Sequence, residues 1–206
     1  APNRVVGLRS RFEVDLNRPR EKAVYLTPDD AWGLEVWRGK LPSKIVDASL
    51  AEYDAFYEAL KELYAGLESR HGRFVVFDLH TYNHRRDGPD GSEADPQANP
   101  QVNVGTGTMT DRKTWAPVID RFMADLSSFD YPGGALDVRE NVRFRGGHHG
   151  RWAHETFPRS ACVLSIEVKK IFMDEWTGEA DATSVDAVGR AIESTVPGVL
   201  EELKRL

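Results

Sequence analysis

The stretch FVVFDLHTYNHRR, residues 74–86, decides how this chain is read. Its first four residues are apolar and show no polar alternation. That is the pattern of a strand buried on both faces, as in a parallel sheet. Asp78, His80, His84 and two arginines follow directly. The end of a buried strand is a rigid place from which to present a ligand or a catalytic group. The plainer reading is that the strand ends there and the chain returns to water.

The segments on either side place this strand in an α/β pattern. On the N-terminal side, Leu50, Tyr53, Phe56, Tyr57, Leu60, Leu63, Tyr64 and Leu67 recur at spacings of three and four. They predict an amphipathic helix that Gly72 closes. Further upstream, PDDAWGLEVW predicts a loop with one helical turn. RVVGLRSRFEVDL, residues 4–16, predicts one strand or two short ones, broken by Pro19. On the C-terminal side, DGPDGSEADPQANPQ is a long polar loop, of the kind that often serves as a lid or binding segment. VNVGT predicts a short strand, and Asp111 caps a helix carrying Trp115, Val118, Ile119, Phe122 and Leu126. ALDVRENVRF reads as extended, and Gly146-Gly147 marks a tight turn or a close backbone approach. ACVLSIEV predicts a second buried strand. Val185, Val188, Ile192, Val196, Val199, Leu200 and Leu203 predict a final helix, kinked at Pro197. Strands alternating with helices predict a three-layer α/β/α domain with a mixed, largely parallel sheet. With no repeat and no linker, a single domain over residues 1–206 is expected.

Composition narrows the function class. The 206 residues carry 33 acidic and 27 basic side chains, for a net charge of -6, which gives no support to nucleic-acid binding. No apolar run reaches the roughly 18 residues of a membrane span. The polar opening APNRVVGLRS does not resemble a signal peptide. A cytoplasmic protein that binds neither membrane nor nucleic acid is expected. The lone Cys162 lies in an apolar run and reads as a buried structural thiol. Nothing in the sequence specifies an oligomeric state.

Four polar clusters stand at strand or turn ends. Arg11, Asn17 and Arg18 read either as surface charge or as a carboxylate clamp, since a guanidinium fork matches a carboxylate. His80 reads either as a histidine satisfied by a backbone carbonyl or as a zinc ligand. Asp78 points the same way along the strand and is placed to hold the imidazole. His84 is a weaker ligand candidate, because the chain around it does not favour a helix. His148 and His149 follow two glycines, in a solvated turn or beside a small ligand. Glu167 sits inside an apolar strand. It is either a strand-end carboxylate paired with Lys169 or an arginine, or a general base with a raised pKa.

Taken in order, RFEVDLNRPR, AWGLEVW, VVFDLHTYNHRR, VNVGT, RFRGGHHGRW and SIEVKKIFMDEWTGE resemble the N-formylglutamate amidohydrolase family. That family is similar to the zinc carboxypeptidases and to the aspartoacylase and succinylglutamate desuccinylase group. The resemblance implies a zinc-carboxypeptidase-like fold and a zinc-dependent hydrolase. Its substrate would be a small anionic N-acyl amino acid such as N-formylglutamate, cleaved at the amide bond. It implies that Asn17 and Arg18 hold the substrate carboxylate and that Arg11, or else Arg9, polarises the scissile carbonyl. His80 is implied as a zinc ligand, Glu167 as the general acid/base, and His148 and His149 as substrate contacts. These families take a His and an acidic residue upstream of the DLNR segment as further zinc ligands. The ten residues before Arg11 contain no His, Asp or Glu. The domain is therefore expected either to lack an N-terminal strand with the first metal ligands or to carry a degenerate site. Two alternatives stand beside the leading one: a non-catalytic carboxylate-binding protein on the same scaffold, and a carboxypeptidase-like amidase with a larger substrate.

Overall fold

The structure, a computed structural model, describes residues 2–206. They form two compact units. One comprises residues 2–72 together with Gly147–His149. The other comprises Arg73–Gly146 and Gly150–Leu206.

The first unit is built on helix α1, Ser43–His71. Tyr53, Tyr57, Leu60 and Tyr64 recur at spacings of three and four and are buried. Gly72, at φ 75°, ends the helix and donates its N–H to the Glu68 carbonyl at 2.8 Å. The left-handed backbone there suits glycine. The strand expected over residues 4–16 is absent. Glu13 and Val14 both donate their N–H groups back to the Ser10 carbonyl, at 2.9 and 3.1 Å. Those donors close local turns instead of reaching a neighbouring strand, so no ladder forms. The one-turn 3₁₀ helix Pro28–Ala31 is the helical turn expected in PDDAWGLEVW.

The second unit holds a four-stranded sheet. Its strands are β1 (Phe74–Tyr82), β2 (Val102–Gly105), β3 (Val138–Glu140) and β4 (Ala161–Lys169), in the order β1-β4-β2-β3. β1 runs parallel to β4 and β2 parallel to β3, while β2 and β4 are antiparallel. The sheet is thus mixed and mostly parallel, as expected. β4 is the central buried strand. β1, read as buried on both faces, is an edge strand that among the described residues pairs with β4 alone, so its middle is half-buried.

Helices cover the two sheet faces differently. Cys162, Leu164, Ile166 and Val168 of β4 join Val102 and Val104 of β2 in one apolar core. That core also takes Val118, Ile119, Phe122 and Leu126 from α2 (Ala116–Ser127), Ala187 and Ala191 from α4 (Ala182–Ser194), and Val199 from α5 (Val196–Arg205). Successive side chains alternate between faces. Phe74, Asp78 and His80 of β1, with Val163, Ser165 and Glu167 of β4, therefore belong to the other face. There α3 (His148–Thr156) packs at its Gly150, where an added Cβ would lie 3.7 Å from both Val163 and Ser165. The kink expected at Pro197 is a full break at Thr195 between α4 and α5. ALDVRENVRF is extended over only three residues. Asn141, at φ 54°, turns the chain away, and its side chain accepts the Thr106 N–H at 2.9 Å.

Candidate functional site

The candidate residues divide between the two units. Arg11, Asn17, Arg18, His148 and His149 belong to the first; His80 and Glu167 belong to the second.

In the first unit the DLNR segment is organised by Asp15, which is 2% exposed. Its carboxylate accepts an Arg11 guanidinium N–H at 2.8 Å, the Asn17 backbone N–H at 2.9 Å and a short hydrogen bond from the Tyr25 hydroxyl. Arg18 Nε lies 3.8 Å from the same carboxylate. Burial alone would raise the pKa of Asp15, but the hydrogen bonds from Tyr25, Arg11 and Asn17 outweigh it and hold the group below its ordinary range. Burial and the Asp15 carboxylate push the Tyr25 phenol up. Both guanidinium groups stack on Trp32, each 5.4 Å from the ring, and Arg18 also lies over Tyr25. Arg9, the alternative to Arg11, pairs instead with half-buried Glu13 and exposed Glu52.

Asn17 reaches the two histidines' segment. Its Oδ1 accepts the His149 N–H at 3.1 Å. An added Cβ at Gly147 would lie 2.3–2.7 Å from the Asn17 carboxamide, so the chain passes only because Gly147 has no side chain. This is the close approach that the glycine pair predicts. His148 and His149 do not lie in a loop: they open α3. Each ring is met by a tyrosine of α1, His148 by Tyr53 and His149 by Tyr64, both at 2.9 Å. Tyr53 gives its single hydroxyl hydrogen to the Arg18 carbonyl at 3.0 Å. That leaves a hydroxyl lone pair of Tyr53 facing His148 Nε2.

In the second unit the polar end of the sheet gathers Asp78, His80, Ser165 and Glu167. His80 Nε2 lies 3.0 Å from Asp78 Oδ1, the contact expected for residues two apart on a strand. Ser165 Oγ approaches Asp78 Oδ2 at 3.5 Å. Across the parallel pair, Asp78 is opposite Ser165 and His80 is opposite Glu167. On the other side of β4, Glu167 is opposite Asn103 of β2. Paired residues of a ladder share a face, so an imidazole, two carboxylates, a hydroxyl and a carboxamide stand together on one rigid surface. His84 lies apart from this row. It is buried, and its backbone N–H donates to Glu175 at 2.9 Å.

A catalytic zinc site needs three protein ligands. Among the described residues no group of three or more His, Cys, Asp and Glu is gathered in a way that holds a metal. The Asp78–His80 pair supplies two groups of the right chemistry and falls short of that set.

Sequence reading missed Asp15 as the organiser, Tyr25, the tyrosines beneath the histidines, and Asn103. A buried Asp in DLNR carries a faint signal, because an acidic residue between two arginines at spacings of four and three invites pairing. Asn103 and the tyrosines carry none, since their partners lie far away in sequence.

A family model described as N-formylglutamate amidohydrolase matches residues 2–173. No curated protein matches the sequence significantly. Two solved structures share the fold. The N-formylglutamate amidohydrolase of Ralstonia eutropha superposes with a TM-score of 0.66 at 16% identity, over 95% of this chain and 74% of that one. A gene product of Agrobacterium tumefaciens superposes with a TM-score of 0.56 at 16% identity, over 93% of this chain and 68% of that one. Among the described residues no helix is long and apolar enough to cross a membrane.

Proposed function

The chain belongs to the N-formylglutamate amidohydrolase family, and from that premise we propose that it hydrolyses the amide bond of a small anionic N-acyl amino acid, N-formylglutamate first among them. The observation that carries the proposal is the register that sets His80 opposite Glu167 on the polar face of β1 and β4, with Asp78 against the imidazole. A carboxylate on a central strand is held rigidly, as a general base must be.

Glu167 takes a proton from the attacking water as the water oxygen bonds to the carbonyl carbon. It then gives that proton to the amine nitrogen as the C–N bond breaks, leaving a carboxylic acid fragment and a free amine. Arg11 supports the negative charge that develops on the carbonyl oxygen. Asp15 orients Arg11 and keeps it cationic. Asn17 and Arg18 receive the substrate carboxylate, which sets the amide in place. His148 and His149 contact the substrate from the start of α3. His80 is proposed as a zinc ligand.

The test is formate release from N-formyl-L-glutamate by the purified protein and by the Glu167→Gln variant. Turnover that falls at least about a hundredfold in the variant, with an unchanged melting temperature, supports the assignment. Full activity in the variant defeats it. The incomplete ligand set favours one other reading, a non-catalytic carboxylate-binding protein that keeps the clamp. Near-stoichiometric zinc in the purified protein supports the metal-dependent enzyme. Retention of none after zinc addition, with substrate binding intact, supports the binder.

A further inference from the structure

Arg143 of RFRGG is a guanidinium group held in position without a counter-ion among the described residues. It is half-buried, and among the described residues its Nε has no hydrogen-bond partner and no salt bridge involves it. Two arginines in or against β3 differ. Arg139 pairs with Asp137 at 2.9 Å, and Arg112 pairs with Glu140 at 2.9 Å and Asp120 at 2.8 Å. Nε itself is closed off from solvent, but the terminal Nη1 and Nη2 make no hydrogen bond among the described residues, so they are the donors that an acceptor from outside can reach.

Two ring contacts flank the guanidinium of Arg143, and three hydrogen bonds hold the backbone that carries it. Its guanidinium carbon lies 5.7 Å from the Tyr82 ring and 5.5 Å from the Phe144 ring. The backbone N–H groups of Arg143 and Phe144 both donate to Asn103 Oδ1, at 2.8 and 3.2 Å. Asn103 Nδ2 returns a bond to the Phe144 carbonyl at 2.8 Å. Asn103 is fully buried and is the register partner of Glu167. The arginine segment is therefore clamped to the residue beside the proposed base. Tyr82 is not the missing counter-ion. Burial pushes its phenol up to about 12, its hydroxyl donates to the Pro100 carbonyl, and it stays neutral. Its pKa feels both Arg143 and Glu167, which places the two charges near the same ring.

A rigid guanidinium fork with open donors matches a carboxylate in two hydrogen bonds. We propose that Arg143 is a specificity-determining residue that receives the side-chain carboxylate of the substrate, so that acidic N-acyl amino acids are selected over neutral ones. This rests on the hydrolase reading above for its substrate class.

The experiment compares N-formyl-L-glutamate with N-formyl-L-glutamine, which has nearly the same shape without the side-chain charge. Equilibrium binding by calorimetry and kcat/KM are both measured for the unchanged protein, Arg143→Gln and Arg143→Lys. The unchanged protein is expected to prefer the glutamate compound by about tenfold to a hundredfold, and Arg143→Gln to lose that preference. Arg143→Lys keeps the charge and much of the packing without the fork, and is expected to keep only part of the preference. If Arg143→Gln fails to fold, the lysine variant decides, and a full preference there overturns the proposal. Equal affinities in the unchanged protein, or an unaltered ratio in Arg143→Gln, also overturn it. Turnover of both compounds at equal kcat/KM defeats this assignment and leaves the hydrolase reading standing. A binding preference without turnover does the reverse.

Discussion

The buried carboxylate of Asp15 accepts a guanidinium N–H of Arg11 at 2.8 Å, although Arg11 itself is 54% exposed. The pair is asymmetric: water screens the cation, while the anion depends on its protein partners. Replacing Asp15 by Asn removes the charge and leaves Tyr25 and Arg11 with a weaker acceptor. A loss of about 1–3 kcal/mol in urea unfolding is expected, with Arg11 counted at a discount for its exposure. A loss below about 0.5 kcal/mol would show that Asp15 does not organise the segment.

The same group sets a pH dependence. The folded pKa of Asp15 is depressed, so in the folded state it binds its proton only at a pH below that of the unfolded chain. Its contribution to stability is full above the ordinary value of about 3.9 and is lost as pH falls through the folded value. Unfolding free energy measured between pH 6 and 3 should fall more steeply for the unchanged protein than for Asp15→Asn. Parallel curves would contradict the depressed pKa.

Arg18 stacks on Tyr25 and Trp32 and stands at the edge of the Asp15 carboxylate. If it positions the substrate carboxylate, Arg18→Ala should raise KM for anionic substrates by about tenfold or more. kcat should change far less, because the lost interaction is common to ground and transition states. An unchanged KM would remove Arg18 from the clamp.

How much of this was legible in the sequence follows the range of the interactions. β4 was readable because eight successive residues from Ala161 lack a turn signal. α1 was readable because its tyrosines and leucines keep the helical period. The strand expected over residues 4–16 failed because alternation records only a local preference. A strand needs a partner, and the Glu13 and Val14 donors found Ser10 first. β1 looked buried on both faces because FVVF carries no trace of its position at the sheet edge. Asp78, His80 and Glu167 could be singled out as odd residues, but their common face depends on a register between strands some eighty residues apart. Asn103 and Arg143 were invisible, since neither residue type is unusual at its position and only the fold supplies the clamp.

Cys162 tests the burial of β4 directly. Its thiol is fully buried and burial pushes it up to about 12. Thiolate is the reactive form. At pH 8 the folded protein should therefore react with a thiol reagent orders of magnitude more slowly than the protein in denaturant. Fast labelling of the native protein would mean that the central strand is accessible.

Gly147 and Asn17 give the most specific test of how the first unit is assembled. A methyl group at position 147 would meet the Asn17 carboxamide at 2.3–2.7 Å, well inside contact distance. The carboxamide also accepts the His149 N–H, so it has little room to swing away. Gly147→Ala should cost about 1–3 kcal/mol, as overpacking does. Asn17→Ala removes the obstacle along with one hydrogen bond, so the two substitutions should not add. In the Asn17→Ala background the cost of Gly147→Ala should shrink by at least about 1 kcal/mol in a double-mutant cycle read by urea unfolding. Strict additivity would mean that the two residues do not touch in solution, and the proposed link from the carboxylate clamp to His149 would be lost.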